Sequence, residues 1–308
     1  MRKPDFFIVG APKCGTTAMN DYLQAHPEIF IPTKKELHFF GTDLPFLKGR
    51  RVTEQEYLAY FAPARGETRL GESSVWYLYS QQAAVEIKVF SPAARLIIML
   101  RNPVDMMYSL HSQRLYNDNE NISNFEEALA AEAERKQGRR LYQNALNTMG
   151  FFYREAATYA PQVQRYFEVF GREHVHVIIF DDFKNATAQV YRQTCEFLEV
   201  DPRFQPEFRI INANKGVHST ALRSFLRYPP GPIPWFQKLW SLSPIRLGLR
   251  SKIRQLNTRY ESRPPMDPDL RRRLQAEFAP EVERLSALLG QDLTPWCQTN
   301  KTVQRLPS

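Results

Sequence analysis

The stretch Phe6 to Met19, reading FFIVGAPKCGTTAM, constrains this chain more than any other. Four apolar residues, Phe6 to Val9, suit a buried strand and are too few for a helix. Gly10 and Pro12 break that strand, Gly15 permits close backbone approach, and Thr16-Thr17-Ala18-Met19 opens a helix. A strand, a glycine-bearing loop and a helix N-terminus gather backbone N–H groups and the positive end of a helix dipole around one point. A phosphate or sulfate group belongs there.

The spacing Gly10-x4-Gly15 imitates the nucleotide P-loop, but Thr16 stands where that motif requires lysine. The lysine sits inside the loop instead, as Lys13. Pro12-Lys13-Cys14-Gly15-Thr16-Thr17 matches, residue by residue, the Pro-Lys-x-Gly-Thr-Thr loop of the sulfotransferases that use 3′-phosphoadenosine 5′-phosphosulfate (PAPS). The chain resembles that family. The resemblance implies that Lys13, Cys14, Gly15, Thr16, Thr17 and Ala18 bind the 5′-phosphosulfate, with Lys13 also catalytic. Two more segments carry it. Arg95-Leu96-Ile97-Ile98-Met99-Leu100-Arg101-Asn102-Pro103 reads as a buried parallel strand ending in Arg101 at its carboxyl edge, where open α/β sheets bind ligands. Pro103 lies just inside the following helix, and Ser109 comes about two turns on. In the family this unit grips the 3′-phosphate through a guanidinium fork and a hydroxyl, which implies that role for Arg101 and Ser109. Asn214-Lys215-Gly216-Val217 resembles the Lys-Gly segment that closes over the same phosphate, so Lys215 and Gly216 join the implied cofactor site. The aromatic that often stacks on adenine nearby is missing, and His218 is the only nearby stacker.

An acceptor hydroxyl must shed a proton as its new bond forms, so the site needs a base. Thr33-Lys34-Lys35-Glu36-Leu37-His38-Phe39-Phe40 offers two, Glu36 and His38. If the backbone is extended there, both point to one side, and the pattern alone does not separate them. Unperturbed, histidine has the better pKa for neutral pH, whereas a glutamate needs burial to raise its own. Phe39 and Phe40 are the expected apolar surroundings, with Lys34 and Lys35 acting in the opposite direction. The segment resembles the Glu before a His-Phe-Phe run in carbohydrate sulfotransferases, which implies Glu36 as base and His38 as a positioning or alternate base. Leu70-Gly71-Glu72-Ser73 resembles the family's Gly-Glu-x-[Ser/Thr] segment, with Ser73 where the heparan sulfate enzymes hold lysine.

With 308 residues and 43% hydrophobic content, the chain suits one large α/β domain or two small ones, and the single domain is the reading taken. The expected fold is a mostly parallel central sheet flanked by helices, P-loop-like in topology, over residues 1–308. Three scattered cysteines, Cys14, Cys195 and Cys297, argue against a disulfide framework and fit a reducing cytoplasm. The N-terminus runs straight into a strand without a signal-type apolar run, and no stretch reaches the roughly 18 apolar residues of a membrane span. A net charge of +8 fits nucleic acid, anionic lipid or a polyanionic cofactor alike. Residues 118–140 read as an exposed polar helical hairpin or flap. His174 and His176 lack companion ligands, so they read as structural, with no metal site. The basic, aromatic, Pro-rich stretch 222–263 reads as an acceptor-side lid, with peripheral membrane contact as the other reading. Pro265 to Trp296 reads as an amphipathic helix with a glycine stop at Gly290. The resemblance thus implies sulfuryl transfer from PAPS, without metal, to a hydroxyl or amine of a carbohydrate or small molecule, with no nucleic-acid partner. The rivals are an ATP-dependent kinase and a non-catalytic polyanion-binding protein built on 222–263.

Overall fold

The computed structural model describes residues 2–45, 51–209, 215–217, 258–260 and 263–298. Its centre is a five-stranded, all-parallel sheet. The strands are β1 (Phe6–Gly10), β2 (Ile29–Phe30), β3 (Arg69–Ser73), β4 (Arg95–Leu100) and β5 (Val175–Ile179), in the spatial order β2-β3-β1-β4-β5. β1 is buried along its whole length, which is why it carries no polar residue. Phe6 pairs in register with Gly71 of β3 and Arg95 of β4. The Phe6 ring lies so close to Gly71 that a Cβ there would stand 2.0 Å from it, which excludes any side chain.

From β1 the chain goes first to one side, to β3, and then crosses to the other, to β4. The carboxyl end of β1 is therefore the switch point, where a crevice opens between diverging connections. The loop after β1 leads into α1 (Thr16–Gln24) there. The carboxyl ends of β3, β4 and β5 deliver Glu72 to Ser74, Arg101 and Phe180 to the same edge. β4 is followed by α4 (Pro103–Tyr116), whose start is set by Pro103 in the first turn and by the Asn102 side chain accepting the Val104 N–H. Helices α2 (Glu54–Ala59), α3 (Ala83–Phe90), α7 (Tyr153–Ala157), α8 (Tyr159–Phe170), α9 (Phe180–Asn185) and α10 (Thr187–Leu198) complete the flanking layers.

The last helix, α11 (Pro268–Leu289), starts on an Asp267 cap and stops at Gly290 with φ 69, as its glycine predicts. It packs against α4 and α8, and the turn after it reaches the switch-point edge. There Asn102 Nδ2 donates to the Trp296 carbonyl (2.9 Å), and Trp296 Nε1 donates to Asp181 (3.2 Å). A separate antiparallel pair, β6 (Lys215–Val217) with β7 (Thr258–Tyr260), holds the two ends of the intervening stretch side by side, with β6 beside α4. Apart from β7 and Arg263, the lid reading of 222–263 concerns residues outside those described, as does His218.

The expectation of an exposed flap at 118–140 is corrected. This region, with α5 (Phe125–Ala130) and α6 (Glu132–Lys136), buries Asp118, Asn119, Glu120, Glu132 and Arg135. Arg135 grips Glu120 with both terminal nitrogens (2.9 and 2.7 Å), and the Tyr153 hydroxyl adds a third bond at 2.8 Å. The polar composition looked solvent-facing because the partners lie 15 and 33 residues from Glu120. His176 stacks on Phe197, and His174 contacts its neighbour Glu173.

Candidate active site

The loop from Gly10 to Thr16 folds as its composition predicts. Gly15 adopts φ 90 at the helix N-cap, and a Cβ there would meet the Phe180 ring at 3.0 Å. Lys13 also takes a left-handed conformation, φ 64, which a lysine adopts only under tertiary constraint. Cys14 turns its thiol into the core, beside the Tyr159 hydroxyl (4.0 Å), and burial pushes that thiol up to about 12. Its buried, protonated thiol therefore offers no nucleophile to the loop.

Thr17 Oγ1 accepts a hydrogen bond from Lys35 Nζ at 3.3 Å. Pattern reading weighed Lys35 only as a neighbour of Glu36, yet its amine reaches the anion loop. Burial lowers its pKa, while Glu36 and Asp21 act the other way. A second cation thus stands at the loop of a chain that has Ser73 where the resemblance expects lysine.

At the end of β4, the Arg101 guanidinium lies 4.8 Å over the Phe180 ring, the same ring that Gly15 packs against. Phe180 therefore ties the loop to Arg101. Ser109, on α4, is buried, and its hydroxyl accepts a hydrogen bond from Arg263 Nη2 at 3.1 Å. Arg263 also lies over the Tyr108 ring at 5.1 Å. Burial first, and then the charge of Arg101, lowers the Arg263 pKa. Arg263 thus bonds the Ser109 hydroxyl and feels the charge of Arg101, so two guanidinium groups and a hydroxyl are grouped at this edge. Arg263 escaped the sequence reading because it closes a stretch with no periodic pattern; the adjacent Pro264-Pro265 was its only signal. The backbone of Lys215–Gly216 lies in β6, beside the helix that carries Ser109.

Residues 33–40 form no regular element. Glu36 and His38 take left-handed conformations, φ 57 and 51, so the condition of an extended backbone is not met. Even so, Glu36 Oε2 and His38 Nε2 end 3.6 Å apart. Glu36 Oε2 accepts the Val75 N–H at 3.1 Å, and the Glu36 N–H donates to the Ser73 carbonyl at 3.0 Å. Phe39 and Phe40 pack with Tyr57, Tyr77 and Phe90, with Phe39 stacked on Tyr57 at 4.2 Å. Desolvation nonetheless raises the Glu36 carboxyl from 4.5 to about 7, against the opposing pull of Lys35 and the Val75 N–H. Burial, helped by Arg51 and Lys34, takes His38 down to about 4. The pKa order of the free amino acids is reversed, and Glu36 titrates where a base working near neutral pH should.

Comparison with known proteins bears on this geometry. The sulfotransferase domain family model matches residues 3–214. Carbohydrate sulfotransferase 15 of Mus musculus is 25% identical over 250 residues, covering 65% of this chain and 44% of that protein. The bifunctional heparan sulfate N-deacetylase/N-sulfotransferase 4 of Mus musculus is 26% identical over 304 residues, covering 95% of this chain and 31% of the relative. The chain thus spans less than half the length of these two curated relatives. A solved sulfotransferase from Alicyclobacillus acidocaldarius superposes with a TM-score of 0.73 at 33% identity, covering 97% of this chain and all of the other.

Proposed function

Because the chain belongs to the sulfotransferase domain family, we propose that it moves a sulfuryl group from PAPS to a hydroxyl or amine of a carbohydrate or small-molecule acceptor. The observation that carries this reading is the pair of cationic subsites joined through Phe180. One is the loop with Lys13 and Lys35; the other is Arg101, Arg263 and Ser109. A ligand with two separate anionic groups, 5′ and 3′, engages both at once. A triphosphate carries its charge in one run and leaves the second subsite unmatched, which disfavours the kinase reading.

Bound PAPS supplies an electrophilic sulfur attached to a phosphate leaving group. The residues of this chain do the rest. Loop N–H groups, Thr16 and Thr17 would hold the 5′-phosphate, and Lys13 would supply positive charge beside the leaving group. Lys35, bonded to Thr17, would add a second positive charge. Arg101, Ser109 and Arg263, with Lys215 and Gly216, would hold the 3′-phosphate. Glu36, held by the Val75 N–H, takes the acceptor proton on a carboxylate oxygen, and His38, neutral at pH 7, stands 3.6 Å away as an alternate base. A sulfuryl group carries less charge than a terminal phosphoryl group, so these cations suffice without Mg²⁺. Free thiols at Cys14, Cys195 and Cys297 fit a reducing, cytoplasmic setting.

Thermal unfolding with adenosine 3′,5′-bisphosphate against ATP tests the cofactor. At 100 times its dissociation constant the bisphosphate adds about 2.7 kcal/mol, and ATP adds less. Stabilisation by ATP alone, or an absolute Mg²⁺ requirement revealed by EDTA, would overturn the reading. A screen with labelled PAPS then identifies the acceptor.

A further inference from the structure

Glu72, near the end of β3, is 2% exposed, and its carboxylate is ringed by hydroxyls. Tyr57 donates to Oε2 at 2.6 Å; Ser74 and Tyr77 donate to Oε1 at 2.5 and 2.9 Å. These three donors act against the burial that still leaves the Glu72 pKa raised. A hydroxyl has one proton to give. With those protons directed at Glu72, Ser74 and Tyr77 turn lone pairs outward. Ser74 Oγ accepts the His38 N–H at 3.3 Å, and the Tyr77 oxygen accepts the N–H groups of Phe39 and Phe40 at 2.9 and 3.3 Å. With the Ser73 carbonyl bound to the Glu36 N–H, four backbone donors of the 36–40 segment end on the 73–77 turn. Left-handed Glu36 and His38 persist only where the surroundings over-determine them.

We propose that Glu72 is a positioning residue for the acceptor base: its carboxylate fixes the proton direction of Ser74 and Tyr77, and through them the placement of Glu36 and His38. The inference rests on the reading of Glu36 as base. It gives the Gly-Glu segment a role that does not involve the nucleotide, since among the described residues each bond to Glu72 comes from the turn that holds the base segment or from the core. The charged groups around Glu36 are Lys35, which lowers its pKa, and Glu72, which raises it; His38 is its third neighbour.

The test uses the full chain and the acceptor found by the PAPS screen. Glu72→Gln keeps the shape but sets an amide donor against hydroxyls that also donate, so one must turn its proton toward a backbone N–H. The expected result is a loss in kcat of about 10- to 100-fold with unchanged calorimetric affinity for adenosine 3′,5′-bisphosphate. The Glu36 titration, followed by ¹³C NMR of glutamate-labelled chain, should move below about 7, because a nearby negative charge is gone. Tyr77→Phe should lower kcat while leaving Glu72 in place, and it carries the test if Glu72→Gln does not fold. In a Glu36→Gln background, Glu72→Gln should add almost nothing, because both act on one step. Unchanged kcat in Glu72→Gln or Tyr77→Phe, or a full multiplicative loss in the double variant, overturns the positioning role. Should Glu36→Gln alone keep wild-type kcat, the base reading itself fails, which these single variants distinguish.

Discussion

Replacing Glu36 by glutamine separates catalysis from stability at one atom. The change keeps the side-chain length and an oxygen for the Val75 N–H, and removes only the ability to ionise. The rate should fall by about 10²–10⁴ in kcat, with cofactor affinity unchanged. Stability should move the other way. In the folded chain the carboxyl is held at about 7, against 4.5 for the free group. Between these values the folded state binds a proton that the unfolded state has released, so stability falls as pH rises through the window. The difference corresponds to at most about 3–4 kcal/mol. With 35% of the side chain exposed, solvent screening reduces it to about 1–2 kcal/mol. Glutamine escapes this penalty. The variant should therefore be more stable at pH 8 by that amount, with a Tm a few degrees higher, and the gap should close as pH falls from 7 toward 4.5. Thermal unfolding across pH, beside turnover with labelled PAPS, measures both. Wild-type turnover, or equal stability at pH 8, would refute the argument that burial prepares this carboxyl as a base.

Other substitutions probe the remaining parts. Lys13→Ala should raise the transfer barrier by about 2.7–4 kcal/mol, seen as lost single-turnover rate, while Lys35→Met should lower the rate less. Arg263→Ala should weaken binding of adenosine 3′,5′-bisphosphate by about 1.5–3 kcal/mol in calorimetry, as should Arg101→Ala, and Arg263→Lys should restore only part because the fork is lost. Deleting residues between Pro229 and Pro244 should raise acceptor KM and leave bisphosphate binding unchanged; equal loss of both would place the stretch in the core. Glu120→Gln should cost about 3–5 kcal/mol in denaturant unfolding, because Arg135 is left charged in a site where both side chains are fully buried.

The strand, loop and helix start that make up the first part of the candidate site were legible in the chain itself. A strand of four apolar residues, Gly10, Gly15 and the Thr16-Thr17 helix start are contiguous, and local sterics and hydrogen bonding fold them much the same way in any α/β setting. Arg101 and Ser109 were readable for the same reason, since a buried strand end and a helix face fix their separation. The sheet and the glycine-stopped final helix followed from apolar runs and breakers. What the sequence could not decide depends on contacts between distant segments. Glu36 and His38 exchanged their expected pKa order because the 73–77 turn, some forty residues away, buries the segment in a left-handed path that no propensity favours. Lys35 at Thr17, Arg263 at Ser109 and the buried Glu120–Arg135 pair arise in the same way. Desolvation and convergence of charge are properties of a volume, not of a run of residues, so only the folded chain determines them.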